Sequence, residues 1–187
     1  MKTELVRKSI HLLIALVPVF AAIDRSHTAL LLMGGLLFYT CAESLRFVGF
    51  SPPFISSVTR TVLRKREHER FALGPVTLGL GALLALCLFP PRVAAFAVYA
   101  LAFGDSAATL VGRYLGRIRP AILRGKSLEG SLACFITAAL AGFLVFGNWR
   151  TALIAGLASM LAEAFSFGDF DNLLLPLAAG LAALLLQ

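Results

Sequence analysis

Charge is what this chain has least of. Only 14% of its 187 residues are Asp, Glu, Lys or Arg, while 59% are hydrophobic and the mean hydropathy is +0.87. Soluble domains carry roughly a quarter charged residues and about half apolar ones, so a water-exposed globule is excluded. Cysteine is scarce as well. Cys41, Cys87 and Cys134 all fall in apolar runs without paired spacing; that excludes a disulfide scaffold or a zinc ribbon and points to small buried thiols. No low-complexity linker and no strong internal repeat interrupts the sequence. One polytopic domain over residues 1–187 is therefore expected.

What the chain does have is apolar runs, at about 9–23, 28–48, 72–89, 93–112, 128–147, 151–167 and 172–186. These predict an all-α integral membrane protein with about seven transmembrane helices. Several runs fall short of the ~20 residues needed to cross about 30 Å of hydrocarbon, and flanking Lys and Arg can snorkel to cover the difference. Pro18 should kink or break the first span. The opening residues have the look of a signal peptide ending at Ala22, but cleavage there would remove a polar cluster that matters below.

The net charge of +7 would suggest nucleic acid in a soluble protein; its distribution suggests topology instead. Lys2, Arg7 and Lys8 lie at the N-terminus. Arg46, Arg60, Arg64, Lys65, Arg66 and Arg70 lie in or beside the second connection, and Arg113, Arg117, Arg119, Arg124 and Lys126 in or beside the fourth. Only Arg25, Arg92 and Arg150 belong to the opposite side. The positive-inside rule then puts the N-terminus in the cytoplasm and the C-terminus outside. In the second connection Ser51 is placed to cap a helix, and Phe54, Ile55, Val58 and Val62 recur at helical spacing among basic residues. An amphipathic helix near 54–70, lying in the interface against anionic lipid, is expected.

Carboxylates do not set topology, yet all but Asp24 of the acidic residues gather in or near the cytoplasmic half. Asp105 stands in "FGDSAATLVGRYLGR", where Asp105, Thr109, Gly112 and Gly116 share one helical face and Gly104, Ser106, Ala107 and Ala108 surround the acid. Small residues admit either a neighbouring helix or a ligand. Two readings follow: a buried, satisfied aspartate at a packing face, or a carboxylate holding Mg²⁺ with glycines letting phosphates approach. Further on, "RGKSLEGS" places Gly125, Lys126 and Ser127 before the fifth run, with Ser127 as helix cap and a free helix N-terminus as an anion site. It is not a Walker A loop, since Pro120 stands where a glycine is needed and no strand precedes. Arg7, Lys8 and His11 share a face of the first span. Glu43 has Arg46 three residues away as a local partner. The sixth connection offers Glu163, Asp169, Asp171 and Asn172 without a single basic residue, either as a capped turn or as a second source of carboxylate.

Taken together, "ELVRKSIH", "AESLR", "FGDSAATLVGRYLGR", "GKSLEGS" and "DFDNLLLP" resemble the family of dolichol kinases, phytol kinases and CTP-dependent diacylglycerol kinases, in that family's order and over almost the whole chain. The resemblance implies a polytopic enzyme that moves the γ-phosphoryl group of a nucleotide, typically CTP, to a lipid alcohol. It implies Mg²⁺ at Asp105, helped by Asp169 or Asp171. Lys126, Arg113 and the amides near Ser127 would bind phosphate, with Arg117 and Arg124 next in rank. Gly104, Thr109, Gly112, Gly116, Gly125, Glu129, Gly130 and Asn172 would complete the nucleotide site, and His11 or Glu43 would take the hydroxyl proton. "KSLEG" is also similar to a segment of phosphatidate cytidylyltransferases, whose Lys-Arg and Lys-Asp signature is missing here. A small transporter is the reading from another class, and would call for polar groups through to the outer face. The expected setting is the cytoplasmic membrane, with the site facing the cytoplasm and membrane lipids as neighbours. Nothing discriminates diacylglycerol, polyprenol and phytol, or fixes an oligomeric state. Asp105→Asn is expected to abolish turnover and spare the fold.

Overall fold

The computed structural model describes residues 2–50 and 71–187, with side chains from Val6 onward in the first helix. The interfacial helix near 54–70 and the Ser51 cap lie outside the described residues. Among those described, every regular element is helical.

The chain enters as α1 (Lys2–Leu13), tightens through a 3₁₀ turn (Ile14–Leu16) and continues as α2 (Val17–Ile23). Pro18 explains the break. It has no N–H to give, and its ring would press on the Ile14 carbonyl four residues back. Asp24 then caps α3 (Arg25–Phe47), its Oδ1 accepting from His27 N at 2.9 Å. That backbone N–H, with the His27 ring beside it, holds the Asp24 carboxyl below the ordinary carboxylate range. After the second connection come α4 (Leu73–Leu88), α5 (Pro91–Tyr99), a π-helical turn (Ala100–Gly104) and α6 (Asp105–Tyr114). A loop with one 3₁₀ turn leads into α7 (Leu128–Phe146), followed by α8 (Trp149–Phe165) and α9 (Asp171–Leu184).

These elements form seven apolar rods that match the seven runs of the sequence. Val6–Ile23, Arg25–Phe47, Pro91–Tyr114 and Leu128–Phe146 are long and apolar enough to cross a membrane. The other three are shorter, with 16 residues in α4, 17 in α8 and 14 in α9; at 1.5 Å per residue none reaches about 30 Å.

The rod built from α5, the π turn and α6 is the axis of the bundle. It packs against α1, α2, α4, α7, α8 and α9. Its residues explain why so many neighbours fit. Ala94, Ala97, Ala100 and Ala102 are buried with Phe96 and Leu101, and small side chains let apolar helices come close where lipid gives no hydrophobic drive to associate. The π turn carries one more residue than an α turn, so it re-phases everything after it. Asp105 is the first residue of the re-phased helix. The thiols divide: Cys134 is buried in this core, whereas Cys41 and Cys87 are exposed on the rods' outer surface. Burial was the expectation for all three, and an apolar run turns out to specify contact with lipid as readily as contact with protein.

Candidate functional site

Asp105 is only 3% exposed, and a buried carboxylate needs partners. They come from α1, which lies across α6 and the π turn. Lys8 Nζ bonds Asp105 Oδ2, and His11 Nδ1 lies 2.9 Å from the same oxygen. Lys8 and His11 are three residues apart, hence on one helical face, and both are buried. Beside them Arg7 Nη1 reaches Asp169 Oδ1 at 3.4 Å. The Asp169 carboxyl also lies over Gly74 in the first turn of α4, where free amides favour an anion. The basic face of the first span thus gathers acids that are 97 and 162 residues away.

A second cluster forms around Lys126. Its Nζ donates to the Glu163 carbonyl and lies 3.0 Å from Glu163 Oε1, 3.1 Å from Ser166 Oγ and 3.6 Å from Asp171 Oδ2. Ser131 Oγ in turn donates to Glu163 Oε2 at 3.2 Å. The start of α7, the end of α8 and the start of α9 are held together in this way. The two clusters meet at one turn: Asp169 faces Arg7, and Asp171, two residues on, faces Lys126. Asn172, next in line, donates through Nδ2 to Thr77 Oγ1 at 2.9 Å and to the Gly74 carbonyl at 3.3 Å, fastening α9 to α4.

The structure therefore unites Asp105, His11, Lys126, Asp169 and Asp171, and adds Arg7, Lys8, Glu163 and Ser131 to them. Glu43 is engaged elsewhere. Arg46 donates to it twice, at 2.7 and 2.6 Å, and Ala72 N donates at 2.7 Å, so this buried acid ties the end of α3 to the start of α4.

The glycines of the motif meet protein. A Cβ on Gly112 would stand 2.9 Å from Ser127 Oγ, one on Gly116 2.7 Å from Ser127 Cβ, and one on Gly130 2.6 Å from the Ala108 carbonyl. Gly104 likewise faces Cys134 Sγ at 3.1 Å. The faces of Gly112, Gly116 and Gly130 pack α6 and the loop after it on the start of α7. Ser127 caps α7 as expected, its Oγ accepting from Gly130 N at 3.1 Å. Glu129 accepts from the amides of Arg117 and Ile118 at 2.9 and 3.1 Å, pinning the loop. Gly125 has φ +93°, a conformation that suits glycine. Arg124, left-handed at φ 50°, lays its guanidinium 3.8 Å over the Phe167 ring. Thr109 is half-buried, while the side chains of Arg113 and Arg117 are exposed past the motif's packed face.

Arg119 was missed by sequence reasoning. Its Nη2 donates to the Gly112 carbonyl at 2.6 Å, satisfying the open end of α6. A basic residue just past a helix end is the signal that could have found it.

Among the described residues no three His, Cys, Asp or Glu side chains converge as a metal cage. The donor chemistry still suits Mg²⁺ held jointly with phosphates, which needs only one or two protein carboxylates. Lys8 and His11 both meet Asp105 through Oδ2, which leaves Oδ1 as the oxygen that could serve a metal.

Similar proteins exist. The chain is 28% identical over 161 residues to CTP-dependent diacylglycerol kinase 1 of Schizosaccharomyces pombe, covering 69% of this chain and 73% of that one. It is 36% identical over 90 residues to the protein of the same name from Eremothecium gossypii, covering 48% of this chain and 28% of that one. An uncharacterized protein of Methanocaldococcus jannaschii is 25% identical over 182 residues, 92% of this chain and 88% of its own. No family model and no solved structure matches. The resemblance carried by the motifs is thus supported by homologues named as lipid kinases.

Proposed function

We propose that this relative of the CTP-dependent diacylglycerol kinases is a membrane enzyme transferring the γ-phosphoryl group of CTP to the hydroxyl of a lipid alcohol, diacylglycerol first among the acceptors. The names of the relatives support the donor and the acceptor class. One observation in this chain carries the reading: Asp105, Lys8, His11, Lys126, Glu163 and Asp171, scattered over the sequence, converge at one end of an apolar bundle. By charge distribution this end faces the cytoplasm of a seven-span protein.

Phosphoryl transfer asks a protein for positioning and charge neutralisation. Lys8 and Lys126 supply the positive charge. They are bonded to Asp105 and Glu163, and phosphate oxygens would compete with those carboxylates for them. Asp105, through Oδ1, and Asp171 are the residues that would hold Mg²⁺, which when bound neutralises charge on the phosphates. His11 Nδ1 lies 2.9 Å from Asp105 Oδ2, and Nε2 is the ring nitrogen that would take the proton of the lipid hydroxyl. That oxygen bonds to the γ-phosphorus, the bond to the β–γ bridging oxygen breaks, and CDP departs. Ile10, Leu12 and Leu13 are exposed on the same helix, an apolar surface along which an acyl chain can bring its hydroxyl to His11. Glu43 is engaged elsewhere, since three N–H groups of Arg46 and Ala72 already occupy its carboxylate.

The test is purified protein with Mg²⁺, a panel of diacylglycerol, polyprenol, phytol and phosphatidate, and CTP labelled at the α- or γ-phosphate, with γ-labelled ATP alongside. γ-Label from CTP in diacylglycerol is the expected result. α-Label in lipid would make the protein a cytidylyltransferase. Label in neither, with Asp105→Asn equal to the parent protein, would sink the reading and favour transport.

A further inference from the structure

The opposite end of the bundle carries charge that the reaction does not use. Arg25 and Arg92 stand there, against the bias that keeps basic residues on the other side. Both line one cleft of about 240 Å³, at the end of α2 and the starts of α3 and α5, walled by Pro18, Ala22, Leu86 and Val145. This is the far end of α4, about 18 Å along its axis from the turn that faces Asp169. Among the described residues no acid lines the cleft. Asp24, the nearest acid in sequence, turns both carboxylate oxygens to His27. Arg25 is half-buried and engages only Nη2, which donates to the Leu86 carbonyl and, at 2.7 Å, to the Phe89 carbonyl. Arg92 is exposed and has no partner among the described residues.

We infer that this cleft binds an anionic phospholipid of the opposite leaflet, its phosphate between Arg25 and Arg92 and an acyl segment against the apolar walls. Charge complementarity selects the occupant. Two guanidinium groups without a carboxylate favour a phosphate diester, and apolar walls favour a hydrocarbon tail over water. The volume lies below the roughly 300–1,000 Å³ of sites that enclose a whole small molecule, so a nucleotide is not accommodated. Such a lipid would brace the ends of α2, α4 and α5, the last of which leads directly into the π turn and Asp105.

The experiment is native mass spectrometry and thermal unfolding of the full chain, reconstituted in phosphatidylcholine and titrated with phosphatidylglycerol. Because it reads binding, its outcome is independent of whether the protein is a kinase. The parent protein should retain phosphatidylglycerol and melt at a higher temperature with it. Arg92→Gln should weaken retention about tenfold, and Ala95→Trp, which fills the cleft, should weaken it equally. Arg25→Gln is less suitable alone, since Arg25 also satisfies the end of α4. Arg150→Gln, at the same end but outside the cleft, should leave retention unchanged. The inference is overturned if phosphatidylcholine is retained as well as phosphatidylglycerol, or if inorganic phosphate reproduces the thermal shift. It is equally overturned if Arg92→Gln and Ala95→Trp match the parent, or if Arg150→Gln weakens retention as much as they do.

Discussion

The rods Pro91–Tyr114 and Arg25–Phe47 have 24 and 23 residues, and both are apolar enough to cross a bilayer, yet of an apolar 18-residue stretch in each, 67% is buried inside the bundle in the first and 17% in the second. Hydropathy alone does not separate them; side-chain size does. The first presents Ala94, Ala97, Ala100, Ala102, Gly104, Ala108 and Gly112 to its neighbours. The second turns Leu30, Leu31, Leu37 and Phe38 outward. Where lipid is as apolar as protein, close approach decides which helix becomes the core. Chemistry follows the same division. The buried rod holds an acid that only distant residues can satisfy, while α3 pairs Glu43 with its own Arg46.

The sharpest way to break this contrast is to remove the acid of the central rod. Asp105→Asn should lower turnover by about a thousandfold, the scale of losing a preorganised electrostatic group. Sequence alone suggested that the fold would be spared, but Lys8 is 2% exposed and bonded to Asp105. Removing its partner leaves a buried charge uncompensated, at about 3–5 kcal/mol. Adding Lys8→Met should recover much of that stability without recovering turnover. Unfolding curves and initial rates on the single and double variants distinguish a site from a structural ion pair: if the double variant regains activity, Asp105 only held Lys8.

The apolar helices could be read from the sequence because continuous apolar composition records where long helices form, and four of them are long and apolar enough to cross a membrane. The Ser127 cap and the acidic sixth connection were legible for a similar reason, as local chemistry. Arg7, Lys8 and His11 could be placed on one face, but their partners could not be named, because the bond from Lys8 to Asp105 spans 97 residues and depends on how α1 crosses α6. The π turn left no local signal at all. Without it the face on which Asp105 falls is uncertain by a large part of a turn. The motif glycines admitted either a ligand or a helix, and the close approach of α7 to them could not be foreseen because it depends on packing.

Those glycines give the next test. Gly130→Ala would place its Cβ 2.6 Å from the Ala108 carbonyl and 3.0 Å from Gly112 Cα. Both are backbone atoms that cannot rotate away, so α6 and α7 must separate, at about 1–3 kcal/mol. The same shift moves Lys126, four residues upstream. The apparent KM for nucleotide should therefore rise several-fold while the lipid KM holds. Equal changes in both would mean that the variant merely loosens the bundle.

The smallest effect belongs to α3. Among the described residues nothing lies within 4 Å of a Cβ added at Gly34 or Gly35, and alanine is favoured over glycine inside a helix by up to about 1 kcal/mol. Gly34→Ala and Gly35→Ala should therefore leave activity unchanged and stability equal or slightly raised. If either instead costs as much as Gly130→Ala, something in the membrane packs closely on that face. A fall in oligomer size by cross-linking would identify it as a second copy of the chain. The low burial of α3 would then describe one protomer, and the contrast between core and surface rods would hold only within it.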